Sequence, residues 1–196
     1  MSLTYQQQEF INCARSPLYF LDNYGHVFNA AKRMFTAMEC FDYQRDCLKA
    51  FHKYQNNIVL KSRQTGISVV TAGYVAWRLM FSIDEKILIV ANDGAGAIRF
   101  LESVKVFINN TPDWLKPMEV KNNEKYISFT NNCWAKAVAA SPEAGRGESL
   151  TMLILDEVAF IDNADSIWMG AGMAVSQTKG KCIMISTPNG TGNLYH

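Results

Sequence analysis

The side chains best suited to chemistry fall in two short stretches. In 57–68, NIVLKSRQTGIS, an apolar run (Ile58, Val59, Leu60) passes into a small polar loop that closes at Gly66, after which Ser68 opens an apolar, helix-forming segment. Read as a short buried strand, a tight loop and a helix N-terminus, this layout presents unpaired backbone N–H groups and the positive end of a helix dipole, which together hold an anion. Against the phosphate-loop pattern G-x-x-x-x-G-K-[ST], Gly66 and Ser68 fall into place, while Lys61 stands where the first glycine belongs and Ile67 where the lysine belongs. In the second stretch, MLILDE (152–157), an apolar strand delivers Asp156 and Glu157 at its C-terminal end, the edge of a parallel sheet at which ligands bind. Asp156, with the Ser68 hydroxyl, is expected to hold Mg²⁺ directly or through water. Glu157 is expected to orient and deprotonate an attacking water, the positioning role that hydrolytic phosphoryl transfer requires. A plain turn and a solvated acidic strand end would look the same singly; their presence in one chain favours the functional reading.

The elements that must position these groups read as alternating strands and helices. Two short helices broken at Ser16-Pro17 occupy 5–24, and a hairpin is expected around 30–33. Asp42 is placed as the N-cap of a helix, YQRDCLKAFHKY, with Cys47, Leu48 and Phe51 on one face. KILIVA (86–91) is an all-apolar strand of the kind buried on both faces, and 94–110 carries Ile98, Leu101, Val104 and Ile108 at helical spacing until Thr111-Pro112 stops it. Alternation over 120–139, with turns at Asn122-Asn123 and Asn131-Asn132, predicts a small antiparallel excursion. A loop (141–149), the acidic strand, a helix near 165–175, a strand over 181–186 and a Thr187-Pro188-Asn189-Gly190 turn complete the chain. The pattern predicts an α/β fold, a mostly parallel sheet with helices on both faces.

Composition narrows the class. The 196 residues allow one sizeable core; 48% hydrophobic and 19% charged residues are ordinary for a globular domain, and no apolar run is long enough to span a membrane. Five cysteines in an odd count without a C-x-x-C pair read as reduced thiols, and three scattered histidines argue against a zinc site. A net charge of +1 argues against a domain held on DNA by bulk charge alone.

Five pieces in order, FDYQRDCLKAF, LKSRQTGIS, SPEAGRGES, LILDEVAFID and ISTPNGTGNLYH, resemble the large terminase subunit of tailed bacteriophages, the motor that packages DNA. The resemblance is colinear from about Tyr19 to the end. It implies a P-loop NTPase fold of the RecA/ASCE-like type, with 1–41 as a helical and hairpin appendage and 42–196 as the ATPase core. It implies ATP and Mg²⁺ as cofactors, hydrolysis powering translocation of double-stranded DNA into a procapsid, and a homo-oligomeric ring. Portal protein and a small terminase subunit are the implied partners, with the cytoplasm of a bacterial host as the place of action and no membrane. A helicase-like ATPase and an inactive nucleotide-binding or assembly module are the alternatives. The chain is expected to be a truncated piece lacking the nuclease domain, with Met1-Ser2-Leu3 a remnant of cloning.

The same resemblance assigns roles. Tyr43 and Gln44 stand where the family recognises adenine: an amide can offer a donor and an acceptor to the base edge, and a ring beside it can stack. Lys61 matches a lysine moved to the start of the loop, reaching the β/γ oxygens as a point charge. The loop residues Ser62, Arg63, Gln64, Thr65, Gly66, Ile67 and Ser68 surround the phosphates, with Ile67 a packing residue. Arg146 and Arg63 compete as the finger that stabilises charge on the transferring group: Arg146, flanked by glycines, resembles the family's trans-acting candidate, and Arg63, inside the loop, is placed nearer phosphate sensing or loop bracing. Ser186, Thr187 and Asn189 fall in the coupling motif, positioned to feel the γ-phosphate and shift a neighbouring segment.

Overall fold

The computed structural model describes residues 3–162 and 164–196. Met1 and Ser2, read above as part of a cloning remnant, lie outside the described residues. Helix α1 (Tyr5–Arg15) starts with a reciprocal pair in which the Gln7 N–H donates to Thr4 Oγ1 and the Thr4 N–H donates to Gln7 Oε1. Ser16 ends α1 and caps α2 (Pro17–Tyr24), whose proline at the first position needs no amide partner. The hairpin expected at 30–33 is present as β1 (His26–Asn29) paired antiparallel with β2 (Met34–Ala37). Helix α3 (Asp42–Lys53) begins one residue earlier than expected. Phe41 occupies the cap position, and its N–H is satisfied by Gln44 Oε1 at 3.0 Å, so Asp42 lies in the first turn rather than at the cap.

Seven strands form one sheet in the order β3-β9-β8-β4-β7-β6-β5. β3 (Asn56–Leu60), β9 (Lys181–Ser186), β8 (Met152–Asp156), β4 (Lys86–Ala91) and β7 (Trp134–Ala139) run parallel, and β6 (Tyr126–Phe129) and β5 (Glu119–Asn123) continue it antiparallel. The antiparallel excursion therefore extends the main sheet. Its first turn falls at Glu124-Lys125, two residues later than read from sequence, and its second includes Asn132 at φ +61°. The apolar runs of β4, β8 and β9 are buried on both faces, as parallel strands between helix layers must be.

Two cores follow from the strand alternation. Ile87, Ile89, Ile154, Ile183 and Ile185 point to the face covered by α3, α4 (Ile67–Phe81) and α5 (Gly94–Asn109); Cys13, Phe20 and Leu21 join that cluster, so the N-terminal helices share the main core. Leu88, Val90, Leu153, Leu155 and Met184 point to the other face, covered by the segment after β8 and by Leu150. Two expectations are corrected. β3 is an edge strand with Ile58 and Leu60 exposed at 65% and 67%, because among the described residues only β9 pairs with it. The single helix read over 165–175 is interrupted: α6 (Ala164–Ile167), a π-turn (Trp168–Gly172) and α7 (Met173–Gln177) follow one another, with glycines at 170 and 172 inside the break. All five cysteines are unpaired, and burial pushes the thiols of Cys13, Cys133 and Cys182 up to about 12.

Candidate functional site

Parallel pairing brings the ends of β3, β9 and β8 to one edge of the sheet, and the chemistry-bearing residues leave from there. Leu60 is opposite Ser186, and the Lys61 N–H donates to the Ser186 carbonyl at 3.0 Å, which fixes the start of the loop against the end of β9. The loop turns through Gln64 (φ +62°) and Gly66 (φ +71°), and α4 begins at Ile67. Gly66 meets two demands. Its φ disfavours any side chain, and a Cβ there would lie 2.8 Å from Gln44 Nε2. Ile67 is 3% exposed and packs in the core, so the position that holds lysine in the usual pattern cannot face a ligand.

Two contacts tie the loop to the acidic strand end. Lys61 Nζ donates to Glu157 Oε1 at 2.6 Å, with the lysine side chain only 10% exposed and the glutamate 38%. Ser68 Oγ donates to Asp156 Oδ1 at 3.1 Å. The segment after β9 closes on the same glutamate: Ser186 Oγ and the Thr187 N–H each donate to Glu157 Oε2 at 3.4 Å. Asn189 Nδ2 donates to the Ala159 carbonyl, in the turn that follows Glu157, at 2.9 Å. Glu157 itself sits at φ +53°, ψ +43°, a left-handed conformation that non-glycine residues adopt at a cost. The 158–160 turn and these donors hold it there.

The adjacent carboxyls are pushed apart. Burial raises Asp156, and the neighbouring Glu157 charge adds to it, against the Ser68 hydrogen bond. Burial also acts to raise Glu157, but the hydrogen bond and charge of Lys61 outweigh it and its pKa is lowered. Environments that separate two neighbouring titratable groups in this way are a mark of functional sites.

Behind the loop, Gln44 is 5% exposed; its Nε2 and the Tyr43 hydroxyl both donate to the Thr65 carbonyl, at 2.9 and 2.8 Å. With Oε1 engaged by the Phe41 N–H, the amide acts as a strut for the loop. Phe41, to which sequence reasoning gives no role, adjoins these residues. Its ring is stacked on Tyr43 (centroids 5.6 Å apart, 8° between planes), and both rings are exposed. The signal that could have found it is an aromatic two residues before Tyr43 in FDYQ.

Two adjoining hollows share Ser68 and Val69. One, about 260 Å³, lies over the loop from Lys61 to Val69; the other, about 480 Å³, opens beyond the carboxylates. Arg63 lines the larger one with Asp156, Glu157 and Thr187, and so do Asp93, capping α5, and Arg99, neither of which the sequence marks. Arg146 is not in this group: it lies on the 141–149 loop, largely exposed, paired with Glu143 at 2.9 Å. The donor set suits a hard cation: one hydroxyl and one carboxylate oxygen side by side, with no cluster of three acidic, His or Cys ligands among the described residues. That leaves the remaining positions to phosphate and water, the way Mg²⁺ is held beside nucleotides.

No protein-family model matches the chain. Among solved structures it is similar to the large terminase ATPase domain of Thermus phage P74-26 (20% identity, 79% of this chain and 67% of that one, TM-score 0.59). It is similar also to the large terminase of bacteriophage HK97 (16% identity, 89% of this chain, TM-score 0.69). A third similar structure is the large terminase of a thermophilic bacteriophage in complex with ADP (16% identity, 75% of this chain, TM-score 0.58). At these identities the likeness is one of fold, and the fold is that of the ATPase region of phage large terminases. The chain spans 37% of the HK97 protein's length and 38% of the length of the ADP-bound protein.

Proposed function

We propose that this chain is the ATP-hydrolysing motor region of a phage or prophage large terminase, which moves double-stranded DNA. The observation that carries the reading is the meeting of Lys61 with Glu157 and of Ser68 with Asp156 at one sheet edge, over a loop whose helix N-terminus is open to an anion. Bound Mg²⁺ would supply charge neutralisation on the β/γ oxygens, held by Ser68 and Asp156. Lys61, anchored at the loop's start, has the reach to exchange its carboxylate partner for phosphate oxygens. Glu157, released by Lys61, is the carboxylate that would accept a proton from water, and Ser186 and Thr187 hold its second oxygen while it does so. The exposed Phe41–Tyr43 stack offers a flat apolar surface to a base, with Gln44 fixing the loop behind it. Arg63 is on hand in cis at the cavity. Arg146, exposed and outside the residues that line the cavity with Asp156 and Glu157, is available to a neighbouring subunit of a ring. Portal and small-subunit partners belong to the same reading, as does action in the host cytoplasm; among the described residues no helix is long and apolar enough to cross a membrane.

Steady-state hydrolysis of Mg-ATP, with and without duplex DNA, tests this against the Glu157→Gln variant. The variant should bind nucleotide at least as tightly as the parent chain, its Lys61 no longer held by a carboxylate, and turn none over. Equal turnover by the variant removes Glu157 from the mechanism, and a chain that binds ATP without hydrolysing it refutes the motor reading.

A further inference from the structure

Two one-way partners fix the amide of Gln44. The Phe41 N–H can only donate and engages Oε1 at 3.0 Å, and the Thr65 carbonyl can only accept and engages Nε2 at 2.9 Å, so the amide has a single satisfactory orientation. At 5% exposure the side chain lies behind the loop, close enough that a Cβ on Gly66 would meet Nε2 at 2.8 Å. Reading the N6/N7 edge of adenine requires a donor and an acceptor of one amide aimed together at the base. To supply them Gln44 would give up both contacts, strand an N–H at the start of α3 and remove one of the two donors on Thr65. Two hydrogen bonds would be broken for two made, and base choice would gain nothing. Other polar groups of this stretch are engaged too. The Tyr43 hydroxyl donates to the same Thr65 carbonyl at 2.8 Å. Arg45 spans Asp22 with both terminal nitrogens (2.7 and 2.9 Å), and its Nε donates to the Cys40 carbonyl at 3.3 Å. Asp42 is exposed, and a carboxylate there accepts equally from the amino group of adenine or of guanine. What the stretch turns outward is the Phe41–Tyr43 stack, its residues 63% and 45% exposed.

We propose, resting on the nucleotide-hydrolysing reading above, that the site takes purine nucleoside triphosphates without regard to the base, GTP as well as ATP. The base is held by stacking on Phe41 and Tyr43, and Gln44 acts on the phosphates through Thr65. Stacking suits any base because each has a π face. Thr65 immediately precedes Gly66, where the loop passes into α4. In a planar trans peptide the N–H points opposite to the carbonyl, so pinning the Thr65 carbonyl toward α3 turns the Gly66 N–H the other way. Both residues line the hollow over the loop, where a phosphate would meet such N–H groups. Gln44 and Tyr43 thus brace the phosphate cradle from outside, and the brace works the same whatever base is attached.

The test is isothermal titration of the 196-residue chain with Mg-ATP, Mg-GTP and Mg-tripolyphosphate, the last having phosphates and no base. ATP and GTP should bind within about threefold of one another, as stacking alone implies, whereas a base edge read by two hydrogen bonds discriminates by roughly 5- to 150-fold. A larger preference for either purine overturns the proposal. Gln44→Glu keeps an acceptor for the Phe41 N–H and sets a carboxylate oxygen, in place of a donor, against the Thr65 carbonyl. It should weaken all three ligands by one factor, on the order of fivefold for a lost hydrogen bond. A loss confined to the nucleotides, or to one of them, overturns the proposal, as does no loss at all. Tyr43→Phe keeps the stack and removes only the hydroxyl on Thr65, so it should also weaken the three ligands alike, and it serves if Gln44→Glu folds poorly. Unaltered affinities in it count against the brace. Phe41→Ala, at an exposed ring, should weaken ATP and GTP by the same factor and leave tripolyphosphate unchanged; unaltered nucleotide affinity removes the stack. ATP bound well above GTP sinks this proposal and leaves the motor reading standing, whereas a chain that binds none of the three sinks the motor reading and this one with it.

Discussion

Replacing Lys61 with alanine perturbs the site at the point where the loop departs most from the usual pattern. The lysine side chain is 10% exposed and its partner Glu157 38%, so the pair is neither a surface ion pair nor a fully buried one. Breaking a buried pair from one side costs about 3–5 kcal/mol. Here the abandoned carboxylate keeps water and the Ser186 and Thr187 donors, so about 1 kcal/mol of stability is the appropriate scale, or roughly 2–4 °C in Tm for a chain of this length. Nucleotide affinity loses a charge-assisted phosphate contact of about 1.5–3 kcal/mol. The parent must give up its Glu157 contact to make that contact, so the net loss is about 1–2 kcal/mol, a rise in Kd of roughly 5- to 30-fold. The stability part has a definite pH dependence. Lys61 holds Glu157 below its ordinary value of 4.5, so its contribution is fully present above that value and disappears as pH falls through the lowered one. Calorimetric melts of parent and variant should therefore differ at neutral pH and converge in acid, while titration with a fluorescent ATP analogue reads the affinity. Ile67→Lys in the Lys61→Ala background should not restore binding, because the new ammonium starts in the core. A Tm difference that persists unchanged in acid, or an unaltered Kd, would refute the reasoning.

Asp156→Asn should raise the midpoint of the nucleotide-free chain, since burial raises Asp156 and its charge is therefore a liability at neutral pH; a fall in Tm by differential scanning fluorimetry contradicts this. Gly66→Ala should cost roughly 1–3 kcal/mol in urea unfolding, through the positive φ and the displaced Gln44 amide, and should weaken nucleotide binding with it. Arg146→Ala should leave stability within about 0.5 kcal/mol, the side chain being 72% exposed and paired only with Glu143. It should slow hydrolysis in an assembled ring by on the order of 10³, and mixing it with Glu157→Gln subunits should recover activity if the arginine acts in trans. Should Arg63→Ala alone produce that loss, the finger is the loop arginine.

The sheet is legible because parallel strands buried on both faces leave runs such as KILIVA and MLILD that no surface element needs. The β1–β2 hairpin, the proline-started second helix and the α5 stop are legible for local reasons, each set by one or two residues. What escapes reading depends on neighbours. Ile58 and Leu60 look as buried as any apolar strand, and only the sheet order puts them at an edge. The break at 168–172 comes from glycines within a pattern whose apolar spacing still reads as one helix. At the site, residue types and strand ends indicate which groups meet, but not their pairing: the contact of Lys61 with Glu157 spans two strands joined through β9. The left-handed backbone of Glu157 has no signature in a strand followed by Val-Ala-Phe. For Gln44, read in sequence as a base-facing amide, the contact of its Nε2 with the Thr65 carbonyl follows from an orientation of α3 that sequence does not set.

The Mg²⁺ dependence of ATP affinity tests the central claim most directly, because it asks whether Ser68 and Asp156 hold a metal beside a nucleotide on this loop. Isothermal titration of the parent chain should show ATP binding at least about tenfold weaker in excess EDTA than in Mg²⁺, a difference of roughly 1.4 kcal/mol, and Asp156→Asn should show one weak affinity in both. A parent chain indifferent to Mg²⁺, or an Asp156→Asn variant that keeps the full metal dependence, would contradict the account.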